Sequence, residues 1–330
     1  MIGDSEPILS IVLPCYNEQE SIGETYSELT RVLGSLHLPF EMIFVDDGSS
    51  DDTPRLLAEM HARDSRVKVI CLSRNFGHQI ALSAGLEHAN GQAVVFMDAD
   101  LQDPPEVVAT MIQRWNDGWD VVYGMRAERD GESWFKRSAA RIFYRLINSI
   151  SQIPIPLDTG DFRLMDRKVV DALLTLPERD RFLRGMVSWV GFSQTAVSFR
   201  RAPRVAGTTK YPFWKMARLA ADGMLSFSVA PLRIATMLGL TVSFVSMVGV
   251  VAAIAARLFT THWVTGWTSL FLAVLFLGGV QLVCLGIFGE YLGRIYGETK
   301  HRPLYVVRER FGFRSSAAVP SSRVLSVELE

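Results

Sequence analysis

Five runs of apolar residues punctuate the first 124 positions of the chain: ILSIVLP, FEMIFVDD, VKVICLS, AVVFMDAD and WDVVYG. Each is continuously apolar rather than alternating, the pattern of a strand buried on both faces. Helix-length segments separate them. One is expected to begin at Thr53-Pro54, a capping residue followed by proline in the first turn. Another is expected at Asp103-Pro104-Pro105-Glu106, where Asp and Glu have the spacing of a capping box. Repeated β-then-α units imply an α/β domain, a mostly parallel sheet with helices on both faces.

In such sheets, ligands bind in the crevice beyond the carboxyl ends of the strands. Four polar bursts sit at these ends: PCYNE (14–18), DDGSSDD (46–52), SRNFGH (73–78) and DADLQD (98–103). In the last, an apolar run climbs to Met97 and breaks into Asp98, Asp100 and Asp103, after which two prolines forbid the strand to continue. A short Asp-x-Asp at a strand end suits a hard divalent cation, with waters and ligand phosphates completing the shell. Gln102 is close enough to join Asp98 and Asp100. The pattern alone is common in solvated loops; its place where four polar bursts converge gives it weight.

The second half differs in character. The mean hydropathy of the whole chain, +0.17, is high for a wholly soluble enzyme. Residues 234–256 and 266–289 contain no charged side chain, and each run is long enough to cross a hydrocarbon core. Small residues are frequent in both, as in packed membrane helices. The linker RLFTTHWVTG is short, so a hairpin of two spans, 233–257 and 266–289, is expected. Arg233 precedes the first span, and Arg294, Lys300, Arg302, Arg308 and Arg310 follow the second, against Arg257 alone in the linker. This basic excess places both termini in the cytoplasm. Segments 133–151 and 211–232 mix aromatic residues with Lys and Arg, as interfacial helices do. The chain thus divides into a cytoplasmic catalytic domain (1–210), a juxtamembrane helix (211–232), two spans and a tail (290–330) whose Ser- and Ala-rich end is expected to be disordered.

Other classes are excluded. A net charge of −1 points to no nucleic acid. Cys15, Cys71 and Cys284 are scattered and odd in number, and neither they nor the histidines show zinc spacing, which fits a reducing cytoplasm. MIGDSEPILS has no basic start and no long apolar core, so no signal peptide is expected.

Taken in order, IVLPCYNEQESI, IFVDDGSSDDT, SRNFGHQIALSAGLEHANG and DADLQDPPE resemble the successive signatures of family 2 glycosyltransferases with the GT-A fold. GDFRLMDR (160–167), RFLRGMVSWVG (181–191), RVAGTTKY (204–211) and GEYLGRIYGETKHRP (289–303) narrow the resemblance to bacterial polyprenyl-phosphate glycosyltransferases, most closely the bactoprenol glucosyltransferases of O-antigen modification, with dolichyl-phosphate mannose synthase as a relative. The resemblance implies that Pro14, Tyr16, Glu18 and Asp46 hold base and ribose, and that Gly48, Asn75 and Gly77 allow close approach to the nucleotide. It implies that Asp98, Asp100 and Gln102 place Mg²⁺ or Mn²⁺ on the diphosphate, with Asp98 also at the nucleotide and Asp100 counted with Asp161 as catalytic. Asp161 matches the position of a catalytic base. Arg126, Arg137, Arg204 and Lys210 are candidates for acceptor or donor phosphates. His78 departs from the pattern, since relatives often carry Lys after NFG, and its contact is left open.

The expected reaction is an inverting transfer of one hexose, glucose from UDP-glucose favoured over GlcNAc, galactose, mannose or an aminoarabinose derivative, to undecaprenyl phosphate. The expected setting is the bacterial inner membrane, with a homo-oligomer such as a tetramer, and with a flippase and a periplasmic transferase acting downstream. A processive polysaccharide synthase would need several spans and a Gln-x-x-Arg-Trp motif, where this chain has RGMVSWVG. A non-catalytic scaffold would not need Asp98, Asp100 and Asp161. A soluble nucleotidyltransferase would carry a glycine-rich loop where PCYNEQES stands.

Overall fold

The computed structural model describes residues 7–126, 159–200, 230–259 and 266–313. All five apolar runs are strands: β1 (Leu9–Cys15), β2 (Phe40–Asp46), β3 (Val67–Leu72), β4 (Ala93–Phe96) and β5 (Val121–Arg126). Three more strands complete the sheet: β6 (Thr159–Asp166), β7 (Gln194–Phe199) and β8 (Val307–Phe311). The order is β7-β5-β6-β4-β1-β2-β3-β8. β1 pairs in parallel with β2 and β4, β2 with β3, and β5 with β7, while β6 and β8 run antiparallel to their neighbours. β1 and β2 are buried along their whole length, the consequence of apolar side chains on both faces.

Helices cover both faces. α1 (Ile22–Ser35), α2 (Thr53–Arg63) and α4 (Val107–Asn116) enclose one core, with Leu29, Leu57 and Val108 packed on Leu13, Phe44 and Val95. α3 (His78–His88), α5 (Arg167–Thr175) and α6 (Leu183–Trp189) enclose the other, with Leu82, Val170 and Met186 packed around Val45 and Phe96. The mostly parallel α/β sheet of the GT-A fold is therefore present.

Two local expectations are corrected. α2 takes Asp52 rather than Thr53 as its N-cap, and the Asp51 carboxylate accepts the Thr53 amide at 3.0 Å. The capping box at Asp103–Glu106 does not form. α4 begins at Val107, after turns in which Val107 and Val108 donate to Pro104 and Pro105 carbonyls. The Glu106 carboxylate meets Arg31 at 2.7 Å instead.

Beyond the domain lie α7 (Ala230–Phe259) and α8 (Trp267–Thr299), of 30 and 33 residues. They pack on each other, yet Met237, Leu240 and Phe244 on one and Phe276 and Leu282 on the other are all more than 60% exposed. Among the described residues one stretch, Phe276–Thr299, is long and apolar enough to cross a membrane, and Ala235–Gly249 is a shorter apolar stretch. Both helices run past the expected spans. Segment 133–151, nearly all of 211–232 and the tail after Phe313 lie outside the described residues.

Candidate active site

The crevice is built from loops that leave the carboxyl ends of β1 to β4. The loops after β1 and β2 are stitched together. Asn17, at a positive φ of 53°, donates its amide to Ser49 Oγ at 2.9 Å, and its side-chain oxygen accepts the Ser50 amide at 2.9 Å. The Glu18 amide donates to Thr53 Oγ1 at 2.9 Å, and the Glu18 carboxylate accepts from Ser21 at 2.8 Å. Pro14 is buried in β1 and Tyr16 stands exposed at the mouth. Gly48 has φ +70°, and a Cβ there would lie 2.4 Å from the Arg74 carbonyl carbon, so only glycine lets the second loop meet the SRNFGH loop.

Asp46 and Asp47 sit side by side at the floor, both buried. One Asp46 oxygen accepts the Ser49 amide at 3.1 Å; the other has no hydrogen bond and lies 4.0 Å from the Arg308 guanidinium. Asp47 holds the third loop, accepting the Phe76 amide at 2.7 Å and the Gly77 amide at 2.9 Å. Burial raises the pKa of both carboxyls despite these donors. Asn75 is exposed, and Gly77 turns the chain into α3 at φ +103°.

At the end of β4, Asp98, Asp100 and Gln102 share one short loop, with Leu101 at φ +55° and the Gln102 amide donating to Asp100 at 3.1 Å. Gln102 is 7% exposed, and its side-chain oxygen is buried without a hydrogen-bond partner. Among the described residues no group of three or more His, Cys, Asp or Glu could by itself cage a metal. Two carboxylates and an orphaned amide oxygen instead form an open, hard, oxygen-only donor set, which fits a Mg²⁺ or Mn²⁺ that takes its remaining ligands from phosphates and water.

Asp161 enters from the neighbouring antiparallel strand β6 and is wrapped by donors. Arg184 of α6 reaches it with two nitrogens at 2.9 and 3.3 Å, Gln79 donates at 3.1 Å, and His78 Nε2 lies 3.3 Å away. Burial alone would raise its pKa, but the His78 bond and the Arg184 charge prevail and hold it well below the usual carboxylate range. His78 also lies 3.7 Å from Asp98. Burial works to lower the His78 pKa, but Asp161 and Asp98 outweigh it and lift it to about 9. Arg163, two residues along β6, is buried and donates to the Gly160 carbonyl at 3.1 Å. Burial, partly offset by Asp161, brings its pKa down to about 10, so it stays charged at neutral pH.

The structure therefore brings Asp98 and Asp161 together through His78, which answers the question of what this position contacts. Asp46 and Gly48 lie on the other side of β1. Arg126 ends β5; Arg137, Arg204 and Lys210 lie outside the described residues. Sequence reasoning missed Asp47, Gln79, Arg184 and Arg308. Arg184 stood in the quoted RFLRGMVSWVG, and Asp47 beside Asp46, without an assigned role.

The Glycosyl transferase family 2 model matches residues 10–174, the span that carries β2 to β6, nearly all of β1, and Asp46, His78, Asp98 and Asp161. The chain belongs to glycosyl transferase family 2. It is 48% identical over 306 residues to the uncharacterized glycosyltransferase YkcC of Bacillus subtilis (strain 168), covering 93% of this chain and 95% of the relative. It is 42% identical over 300 residues to the bactoprenol glucosyl transferase of Shigella phage SfV, covering 91% and 98%. Against the prophage bactoprenol glucosyl transferase homolog of Escherichia coli (strain K12) the figures are 41%, 91% and 98%. A glucosyl-3-phosphoglycerate synthase from Mycobacterium tuberculosis, solved with Mn²⁺, UDP and phosphoglyceric acid, matches at 22% identity and a TM-score of 0.46 over 66% of this chain and 76% of that one. The chain is a glycosyltransferase.

Proposed function

We propose that this glycosyltransferase moves a single hexose, with glucose from UDP-glucose favoured, onto undecaprenyl or another polyprenyl phosphate, with inversion at the sugar carbon. One observation carries the reading: relatives named bactoprenol glucosyl transferase align along nine-tenths of the chain, through the crevice and both apolar helices. Pro14, Tyr16, Glu18, Asp46, Gly48, Asn75 and Gly77 would receive the nucleotide. Asp98, Asp100 and Gln102 would hold the divalent ion, which when bound supplies Lewis-acid stabilisation of the leaving diphosphate.

Asp161 orients rather than deprotonates. Its oxygens are engaged by Arg184, Gln79 and His78, and a carboxylate with its pKa held so low is a weak proton acceptor. The acceptor needs little help, since a phosphate monoester with a second pKa of about 6 is mostly dianion at neutral pH. Asp161 fixes Arg184 and His78 instead, and these with Arg163 set positive charge where an acceptor phosphate would arrive. Arg126, Arg137, Arg204 and Lys210 are proposed to add to that field.

The exposed apolar faces of α7 and α8 suit hydrocarbon. In this reading both helices span the inner membrane as a hairpin, with both termini cytoplasmic, segment 133–151 and the residues before α7 interfacial, and the chain a homo-oligomer such as a tetramer. A flippase and a periplasmic transferase would consume the lipid-linked sugar. The test is radiolabelled transfer from a panel of sugar nucleotides to polyprenyl phosphate in vesicles. Lipid-linked product from UDP-glucose is expected; hydrolysis without lipid product from every donor sinks the reading. Cysteine at position 262 should be labelled only from outside, and labelling only from the cytoplasmic side would overturn the hairpin.

A further inference from the structure

The strand that follows the second long helix does not trail away. It returns to the catalytic domain and closes the β3 edge of the sheet. The return is fixed at several points. At the end of α8, Arg294 pairs with Asp180 at 3.0 Å and Glu298 accepts the Arg179 amide at 2.8 Å. The Tyr305 hydroxyl bonds Glu87 on α3, and the Val306 carbonyl accepts the Ser73 amide at 2.8 Å, holding the first residue of the SRNFGH loop. Phe313 packs edge-on against His88, and the Lys68 ammonium lies over its ring.

Between these anchors, the pairing of β8 with β3 shifts register at Cys71/Leu72. Arg308 sits at this irregularity, and its guanidinium passes over β3 to reach Asp46 on β2, 4.0 Å from the oxygen that lacks a hydrogen bond. Asp46 is fully buried, whereas Arg308 keeps 44% of its side chain exposed. The guanidinium therefore lies beside both the Cys71 thiol and the floor carboxylate at the carboxyl end of β2, where the crevice opens, with nearly half of the side chain still open to solvent. A planar group with five donors can bond base carbonyls and lie against a base ring.

We propose that β8 is a wall of the donor site and that Arg308 is a nucleotide-binding residue at its base end. The inference rests on the sugar-nucleotide reading given above. The base end is chosen by position. Asp46 lies on β2, separated from the Asp98 loop of β4 by β1, about 10 Å across two strand spacings. The Asp98 loop suits the diphosphate, so a cation over Asp46 meets the other end of the nucleotide. The arrangement also makes the segment beyond the membrane helix part of the donor pocket. A chain cut after α8 would lack one wall of its own site.

The experiment measures binding of UDP, with Mg²⁺ present, to the full chain in detergent by titration calorimetry, for wild type, Arg308→Ala, Arg308→Lys and Arg310→Ala. Arg310 lies on the same strand, farther from the crevice, and carries the same charge. Arg308→Ala should weaken UDP binding roughly tenfold or more, the loss expected for a charge-assisted contact. Arg308→Lys should fall between, and Arg310→Ala should stay within about twofold of wild type. Pyrophosphate with Mg²⁺, used as a competitor, should bind wild type and Arg308→Ala alike. Unchanged UDP affinity in Arg308→Ala overturns the inference while leaving the transferase reading intact. Equal loss of UDP and pyrophosphate binding overturns the base-end assignment. Equal losses in Arg308→Ala and Arg310→Ala reduce the effect to bulk charge and overturn it too. If wild type binds none of UDP, GDP and CDP, the sugar-nucleotide reading falls and the inference falls with it.

Discussion

Asp46, fully buried, and Asp161, with 13% of its side chain exposed, are carboxylates on the same crevice, and the protein treats them in opposite ways. Asp161 is enclosed by Arg184, His78 and Gln79, and is held ionised. Asp46 has one backbone donor, one oxygen without a hydrogen bond, and a guanidinium at the limit of ion-pair range; burial pushes its pKa up. The same residue type thus yields a saturated, charged pole on one side and an unsatisfied acceptor on the other. Burial does not decide the state of a carboxyl; the donors that a fold brings to it do. The saturated pole is finished before ligand arrives and suits positioning. The unsatisfied pole has capacity left for a ligand to fill.

The largest expected effect lies between the poles. Asp98 and Asp100 are proposed to hold the ion that meets the diphosphate, so Asp98→Asn or Asp100→Asn should lower transfer by about a thousandfold, several kcal/mol of leaving-group stabilisation. Chelator should abolish transfer by wild type. Full turnover by Asp100→Asn in excess EDTA would remove the metal from the mechanism and leave the two poles to act alone.

Next comes the charged pole. Asp161→Asn should lose about a hundredfold at pH 7, and a rise to pH 8–9 should not restore it, because the acceptor is already a dianion. Recovery of the variant with rising pH would make Asp161 a proton acceptor and remove the contrast with Asp46. Arg184→Ala should cost less in rate but also lower stability by about 1–3 kcal/mol, since it removes two charge-assisted donors from a partly buried carboxylate that keeps His78 and Gln79; a denaturant titration measures this.

How much of this contrast was legible in the sequence follows from what each half depends on. The strands were legible because apolar runs record burial locally: β1 to β5 sit where ILSIVLP, FEMIFVDD, VKVICLS, AVVFMDAD and WDVVYG are written. The loop after β4 was legible because Asp98, Asp100 and Gln102 lie within five positions. The poles were not. Asp161 meets Gln79 across 82 positions and Arg184 across 23, contacts that exist only because β6 inserts antiparallel between β4 and β5. Arg308 reaches Asp46 only because the chain returns after α8, and nothing periodic in residues 300–313 announces a strand. The spacing at Asp103–Glu106 promised a helix start earlier than the one that forms, at Val107.

The smallest effect is the most direct reading of the contrast, because the two kinds of carboxyl should bend stability against pH in opposite directions. Asp47 shares the floor with Asp46 and, like it, has a pKa raised by burial. Its folded form binds a proton more readily than its unfolded form, whose pKa is about 3.9. Its contribution is therefore fully present below that value and is lost as pH rises through the raised folded value. Asp161 has a depressed pKa, so its contribution is present above about pH 3.9 and is lost as pH falls below it. At neutral pH both Asp47→Asn and Asp161→Asn should be less stable than wild type. In the first, an amide group replaces one of the two oxygens that accept Phe76 and Gly77, a loss of about 1–3 kcal/mol. On acidification from pH 7 toward pH 4, the gap between wild type and Asp47→Asn should widen, by at most about 1.4 kcal/mol per pH unit. Over that range Asp161 itself stays ionised and adds no slope of its own to the gap between wild type and Asp161→Asn, and its share should shrink only below about pH 4. Denaturant titrations of the full chain in detergent across this range measure both gaps. Parallel curves for the two variants would mean that the floor and the charged pole ionise alike, and that the distinction drawn between them is wrong.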